Sequence, residues 1–287
     1  MANLNELKSR VIGVKNTKQV THAMYLISAS KSKRARKKTL DVKPFFRSVE
    51  TTMAEILTDR ISLADSVYTM APLDAGRALC LVIGGDKGMA GGYNYNIMKF
   101  LREKTDIGNT TVLAAGSLGR SRAVREGFDV DAGFVYPVMN PSLYRAREIS
   151  EIIIEKFLSG RYREVGLIYT KSESALKQEP VYFHILPLKC EQLNYSGEPG
   201  AGKYFSFQFE PSPAEVFNSL MPHYIKGIIY AALVEAHTSE LQARMLAMEN
   251  ATKNAEEIIS DLSLRYNRAR QSKITQEITE IVGGTPD

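Results

Sequence analysis

The chain has 287 residues, 44% of them apolar and 24% charged, which suffices for one or two packed domains and excludes a disordered chain. No stretch approaches the ~20 apolar residues needed to cross a membrane. The net charge of +5 is unevenly spread: twelve Lys/Arg and one acid, Asp41, lie between Lys8 and Arg47, whereas the last 48 residues carry six Lys/Arg against eight Asp/Glu. An acidic partner should therefore meet the N-terminal segment.

The first segment, residues 1–58, reads as one long helix. Asn3 can cap it, and Leu4, Leu7, Val11 and Val14 follow at spacings of three and four, a coiled-coil seam. The apolar pattern slips at Lys18 and resumes with Val20, Met24 and Ile27. About 40 residues pass before Pro44, roughly 60 Å of helix, and a kink or break is expected near that proline. The run KSKRARKK, Lys31 to Lys38, marks its most basic stretch.

Residues 75–209 have a different texture. ALCLVIGG, TTVLAAG, VGLIYT and VYFHILPL are short apolar runs ended by turn residues, as expected of strands buried on both faces. YNYNIMKFLREK and YRAREISEIIIEKFLSG are the helices between them. This alternation predicts an α/β domain with a largely parallel, Rossmann-like sheet.

The last segment, residues 212–287, opens on SPAE, with Ser212 as N-cap and Pro213 at the first helical position. Leu241, Met245, Met248, Thr252, Ala255, Ile259, Leu262, Tyr266 and Ala269 then keep four-three spacing over four heptads. A compact domain joins the two helical segments, so the pair is antiparallel. The C-terminal helix is the longer by about 15 residues, an overhang of roughly 22 Å. Ile274, Ile278 and Ile281 fall out of register with the heptads, which marks this end as unzipped. The fold class is thus α/β, a long antiparallel coiled coil with an inserted α/β domain.

Candidate chemistry is sparse. GEPGAGKY has the glycine-lysine spacing of a phosphate loop, but Tyr204 stands where a hydroxyl should bind magnesium, and neither flank reads as the required strand and helix. GGDKGMAGGYN follows a predicted strand without GxGxxG spacing, so close turn and helix packing explains its glycines better than a ligand. His22, His184, His223 and His237 show no metal spacing, and His22 and His237 are expected at the coil surface or the seam edge. Cys80 and Cys190 lie too far apart to form a redox motif. No catalytic, cofactor or metal site is therefore assigned. Two other readings stand beside this one: a nucleic-acid-binding arm, with salt-sensitive RNA affinity, and a small-molecule enzyme using the glycine loop. The acidic C-terminal helix argues against the first, and the missing catalytic groups argue against the second.

VKNTKQVTHAMYLISASKSKRA, ARMLAMENATKNAEEIISDLSLRYNRARQSKITQEITEIVGG, DKGMAGGYN and FEPSPAEVFNSLMPHYI together resemble the gamma subunits of F-type ATP synthases, over essentially the whole chain. The resemblance implies a rotor shaft in a proton-translocating synthase, catalysis residing in beta subunits. Its partners would be the alpha and beta subunits of the catalytic ring, the epsilon subunit and the c-subunit ring, with no nucleic acid. Met24, Lys31, Lys33, Arg34, Arg36, Arg244, Arg270, Gln271, Thr275 and Glu280 would make the partner contacts. The setting expected is peripheral, on the cytoplasmic face of a bacterial inner membrane.

Overall fold

The structure, a computed structural model, describes residues 4–58, 66–70, 76–172, 174, 177–188 and 210–283. GEPGAGKY and Cys190 lie outside these residues. The chain divides into two units, one made of residues 1–30 with 244–287 and the other of residues 31–243.

Two helices pass through both units. Helix α1 runs Leu4–Thr58 and helix α5 runs Pro213–Gly283. Helix α1 stays helical through Pro44 and α5 through Pro222, so of the kink or break expected near Pro44 the break does not occur. A proline removes one amide donor and crowds one carbonyl, a loss of about 3 kcal/mol. Long helical flanks with packed residues, Val49 and Met53 after Pro44, offset it. Ser212 caps α5 as its sequence requires: its hydroxyl accepts the Glu215 amide at 3.2 Å.

In the unit of residues 31–243, strands β1 (Arg77–Ile83), β2 (Thr110–Ala115), β3 (Asp129–Val130), β4 (Tyr162–Ser172) and β5 (Gln178–Leu186) form one sheet in the order β3-β2-β1-β4-β5. The first four are parallel, and β5 pairs antiparallel with β4. Helices α2 (Tyr93–Lys104), α3 (Ser117–Arg125) and α4 (Leu143–Leu158) connect them. The α/β class expected from the sequence is the class observed.

Strands β1 and β2 and the middle of β4 lack polar alternation because both faces are covered, whereas the edge strand β5 is fully buried only at Ile185 and Leu186. From β1, Leu79, Leu81 and Ile83 enter a core shared with α4, α5 and α1, including Ile149, Phe157, Phe217 and Met53. Cys80 and Val82, on the other face, pack with Ile97, Leu101 and Ala123 of α2 and α3. A buried side chain of this size contributes about 1.5–3 kcal/mol, so the two-sided burial fixes strand register. Helix α3 and strand β3 had no sequence expectation. Helix α3, SLGRSRAVR, carries three arginines and a glycine in nine residues, and buries only Gly119 and Ala123.

Candidate partner-binding surfaces

The unit of residues 1–30 and 244–287 is an antiparallel helix pair. Lys18 Nζ lies 2.8 Å from Glu256 Oε1, and the Thr21 and Thr252 hydroxyls meet at 2.8 Å. From α5, Met248 and Ala255 are buried, and Thr252, Ile259, Leu262, Tyr266 and Ala269 are half-buried between exposed neighbours. The four-three seam of the sequence is thus the packed face. On α1 the seam continues from Leu4, Leu7, Val11 and Val14 through Lys18, Thr21 and Ser28. It does not slip. Val20 and Ile27, expected in it, are 59% and 55% exposed. Small polar side chains hold the seam positions because they let the helices close up, and their hydroxyls bond back to their own helix: Thr21 to the Lys18 carbonyl and Thr252 to that of Met248. Met24 is half-buried beside this seam, and Arg244 is buried. His22 is exposed and stacks on Tyr25.

The pairing measures the overhang. Thr21 opposite Thr252 places Leu4 level with Ala269, since both pairs sum to 273. Residues 270–283 continue α5 for about 21 Å at 1.5 Å per residue, and every one of them is exposed. Arg270, Gln271, Thr275 and Glu280 stand there. Thr275 donates to the Gln271 carbonyl at 3.0 Å, and Glu280 accepts from Gln276 at 2.9 Å. Ile274, Ile278 and Ile281, spaced four and three, present an apolar stripe, with Ile281 73% exposed and Val282 beside it. A solvated helix end has no need of such a stripe, whereas a surface awaiting a partner does.

In the other unit, Lys31, Lys33, Arg34 and Lys37 project from α1 into solvent around buried Ala35. Arg36 lies on the same helical stretch, its side chain outside the described set. Four cations within seven residues make this face suited to an acidic surface. Ile12, Val20, Leu26 and Ile27 were not foreseen as surface residues. They face outward on α1 in the helix-pair unit, and heptad positions counted strictly from Leu4 would have put them there.

The sheet's ligand position is taken by the chain itself. In open parallel sheets ligands sit at the carboxyl ends of strands, against helix N-termini. Here Asp86, just after β1, holds that place. Its carboxylate accepts the Ser117 amide at 3.1 Å, at the start of α3, and the Val138 and Met139 amides at 2.8 Å each. The glycines around it serve close approach: a Cβ on Gly84 would lie 2.7 Å from the Gly119 Cα. Among the described residues no group of His, Cys, Asp and Glu could hold a metal ion. His237, expected at the coil surface or the seam edge, is buried in the unit of residues 31–243. Burial, then the Glu164 charge, pushes the Cys80 thiol up to about 12, which leaves it unreactive.

Known proteins agree with this geometry. The family described as ATP synthase matches residues 3–286. The ATP synthase gamma chain of Acetivibrio thermocellus is 44% identical, covering 99% of this chain and 98% of its own. That of Ruminiclostridium cellulolyticum is 43% identical, covering 98% and 97%. The fold is shared with a chain in the structure of the Euglena gracilis mitochondrial ATP synthase (OSCP, F1 and c-ring), with a TM-score of 0.67 at 16% identity, covering 98% of this chain and 92% of that one.

Proposed function

The chain belongs to the ATP synthase family, among its gamma chains, and on that premise we propose that it is the central rotor shaft of such an enzyme. It couples rotation of a c-subunit ring to ATP synthesis or hydrolysis in a ring of alpha and beta subunits. Catalysis belongs to the beta subunits, and this chain contributes shape and force.

One observation carries the reading: a helix end of 14 residues, 270–283, that leaves its coil partner and presents Ile274, Ile278 and Ile281 to solvent. In the assembled enzyme the alpha and beta subunits cover that stripe, with Arg270, Gln271, Thr275 and Glu280 at its borders. Lys31, Lys33, Arg34 and Arg36 face acidic surface of the beta subunits, and Met24 belongs to the same set of ring contacts, with Arg244 buried in the chain behind them. Segments 1–58 and 212–287 meet the ring. Segment 75–209 meets the epsilon subunit and the c ring, at the membrane but not in it, as no described helix is long and apolar enough to cross one. Exposed ion pairs contribute only ~0–1 kcal/mol each, so charge alone does not transmit torque. A stiff shaft turns its partner by favouring one partner conformation over another, and the bias equals the difference in contact free energy between the two.

Hydrogen exchange tests this. Amides of residues 270–283 should exchange rapidly in the free chain and be protected in a reconstituted ring of alpha and beta subunits. Fast exchange in both would remove the shaft tip from the ring.

A further inference from the structure

The contact between α5 and the sheet has two chemically different parts. From Phe217 to Leu233, α5 packs apolar side chains on the sheet: Phe217, Met221, Ile225, Ile229 and Leu233 are all fully buried. Over its next turns the contact becomes polar. Glu235 Oε1 accepts the Ser172 amide at 2.9 Å, Ser239 donates to the Thr170 carbonyl at 3.0 Å, and Gln242 Oε1 accepts the Ser172 hydroxyl at 2.6 Å. Across the helix, Tyr93 of α2 donates to the Ala236 carbonyl at 3.0 Å. At 100° per residue, Glu235, Ser239 and Gln242 fall within about 60° of the helix circumference. They grip one strand end.

We propose that Glu235, Ser239 and Gln242 form a torsional lock that fixes the rotation of α5 about its own axis against the end of β4. Burial of apolar area is non-directional, so the apolar contact opposes a small rotation only gradually, as packing is lost. A hydrogen bond weakens steeply with angle, and a swivel that breaks one leaves buried groups unpaired. Ser239 is fully buried and Thr170 nearly so, hence no water replaces their bond. Torque is a twist about an axis, and the clasp resists a small twist more steeply than the apolar contact does. Its mechanical role rests on the rotor reading above, whereas its geometry does not.

The test uses the pair E235A/Q242A in the full chain and in the assembled complex, with Glu235→Gln, which keeps the accepting oxygen, as the rescue. Loss of one such bond should raise exchange of the Ser172 amide by about fivefold to tenfold. In the complex, a bead on the sheet domain, with the C-terminal helix tip held by the ring, should show a wider angular spread. Unloaded ATP hydrolysis should stay unchanged. Glu235→Gln should restore both readouts. Where the pair fails to assemble, Glu235→Ala alone, which removes the acceptor of the Ser172 amide, carries the same measurements. Unchanged Ser172 exchange, or faster exchange with an unchanged spread, overturns the lock. A wild-type complex that never rotates overturns the rotor reading instead, and the exchange arm still decides whether the clasp holds.

Discussion

Thr21 and Thr252 meet hydroxyl to hydroxyl at 2.8 Å across the antiparallel pair, and each also serves a carbonyl of its own helix. The contact is therefore one of close approach more than of hydrogen-bond strength. Thr21→Val keeps the volume and removes one hydroxyl, and Thr252 retains the Met248 carbonyl as acceptor. A loss of no more than about 1 kcal/mol is expected. Thr21→Leu inserts bulk between closely packed helices, at about 1–3 kcal/mol. Urea denaturation of the free chain ranks the two, and equal losses would mean the helices can part freely.

Asp131, the residue after β3, and Lys156 of α4 meet through a contact of 2.6 Å. The hydrogen bond from Lys156 holds the Asp131 carboxyl below the usual carboxylate range, and the same bond raises the Lys156 ammonium. A depressed acid contributes stability that is present above its unfolded value, ~3.9, and lost as pH falls through the lower folded value. A raised base contributes stability present below its unfolded value, ~10.4, and lost as pH rises through the higher folded value. Lys156→Met should therefore cost up to about 1 kcal/mol at pH 7. The difference from wild type should shrink toward either extreme. Melting temperatures measured across pH check this, and a difference constant with pH would rule out the pair as its source.

Gly84 and Gly13 should respond oppositely to alanine. At Gly84 the added methyl meets the Gly119 backbone at 2.7 Å, between two main chains that cannot both yield, so a loss of at least 1–3 kcal/mol is expected. At Gly13, inside α1, nothing lies within 4 Å, and alanine should stabilise the helix by roughly 0.5–1 kcal/mol. Thermal unfolding of both variants of the free chain decides.

Charge reversal on the basic run, K33E/R34E, should leave the free chain folded, because both side chains are exposed. A change within about 0.5 kcal/mol is expected. Assembly with the ring, or rotation at low salt, should weaken, and the deficit should narrow as salt screens the contact. Rotation indistinguishable from wild type at low salt would deny the run an electrostatic role.

The sheet was legible because strands buried on both faces must be apolar throughout, as LCLVI and TVLAA are. The α5 seam was legible because Ile259, Leu262 and Tyr266 keep their spacing. The α1 seam was half misread, since the eye follows apolarity to Val20 and Ile27. The packed positions there belong to Thr21 and Ser28, whose value is small size and a hydroxyl that can turn back on its own helix. Helix α3 gave no periodic pattern to find, because it buries only a glycine and an alanine. The overhang followed from two helix lengths. The clasp of Glu235, Ser239 and Gln242 left no trace, because polar residues on a helix read as solvated until a strand end is placed beside them.

The bare isoleucines of residues 274–281 bear on how a cell makes this protein. A copy synthesised without its ring carries a sticky rod end in a crowded solution, open to any passing apolar surface. Surplus copies are then a liability, and supply has to track the number of rings available to sheath them. Synthesis in fixed ratio with those subunits, or prompt degradation of unsheathed copies, is the condition under which such a tip can be kept.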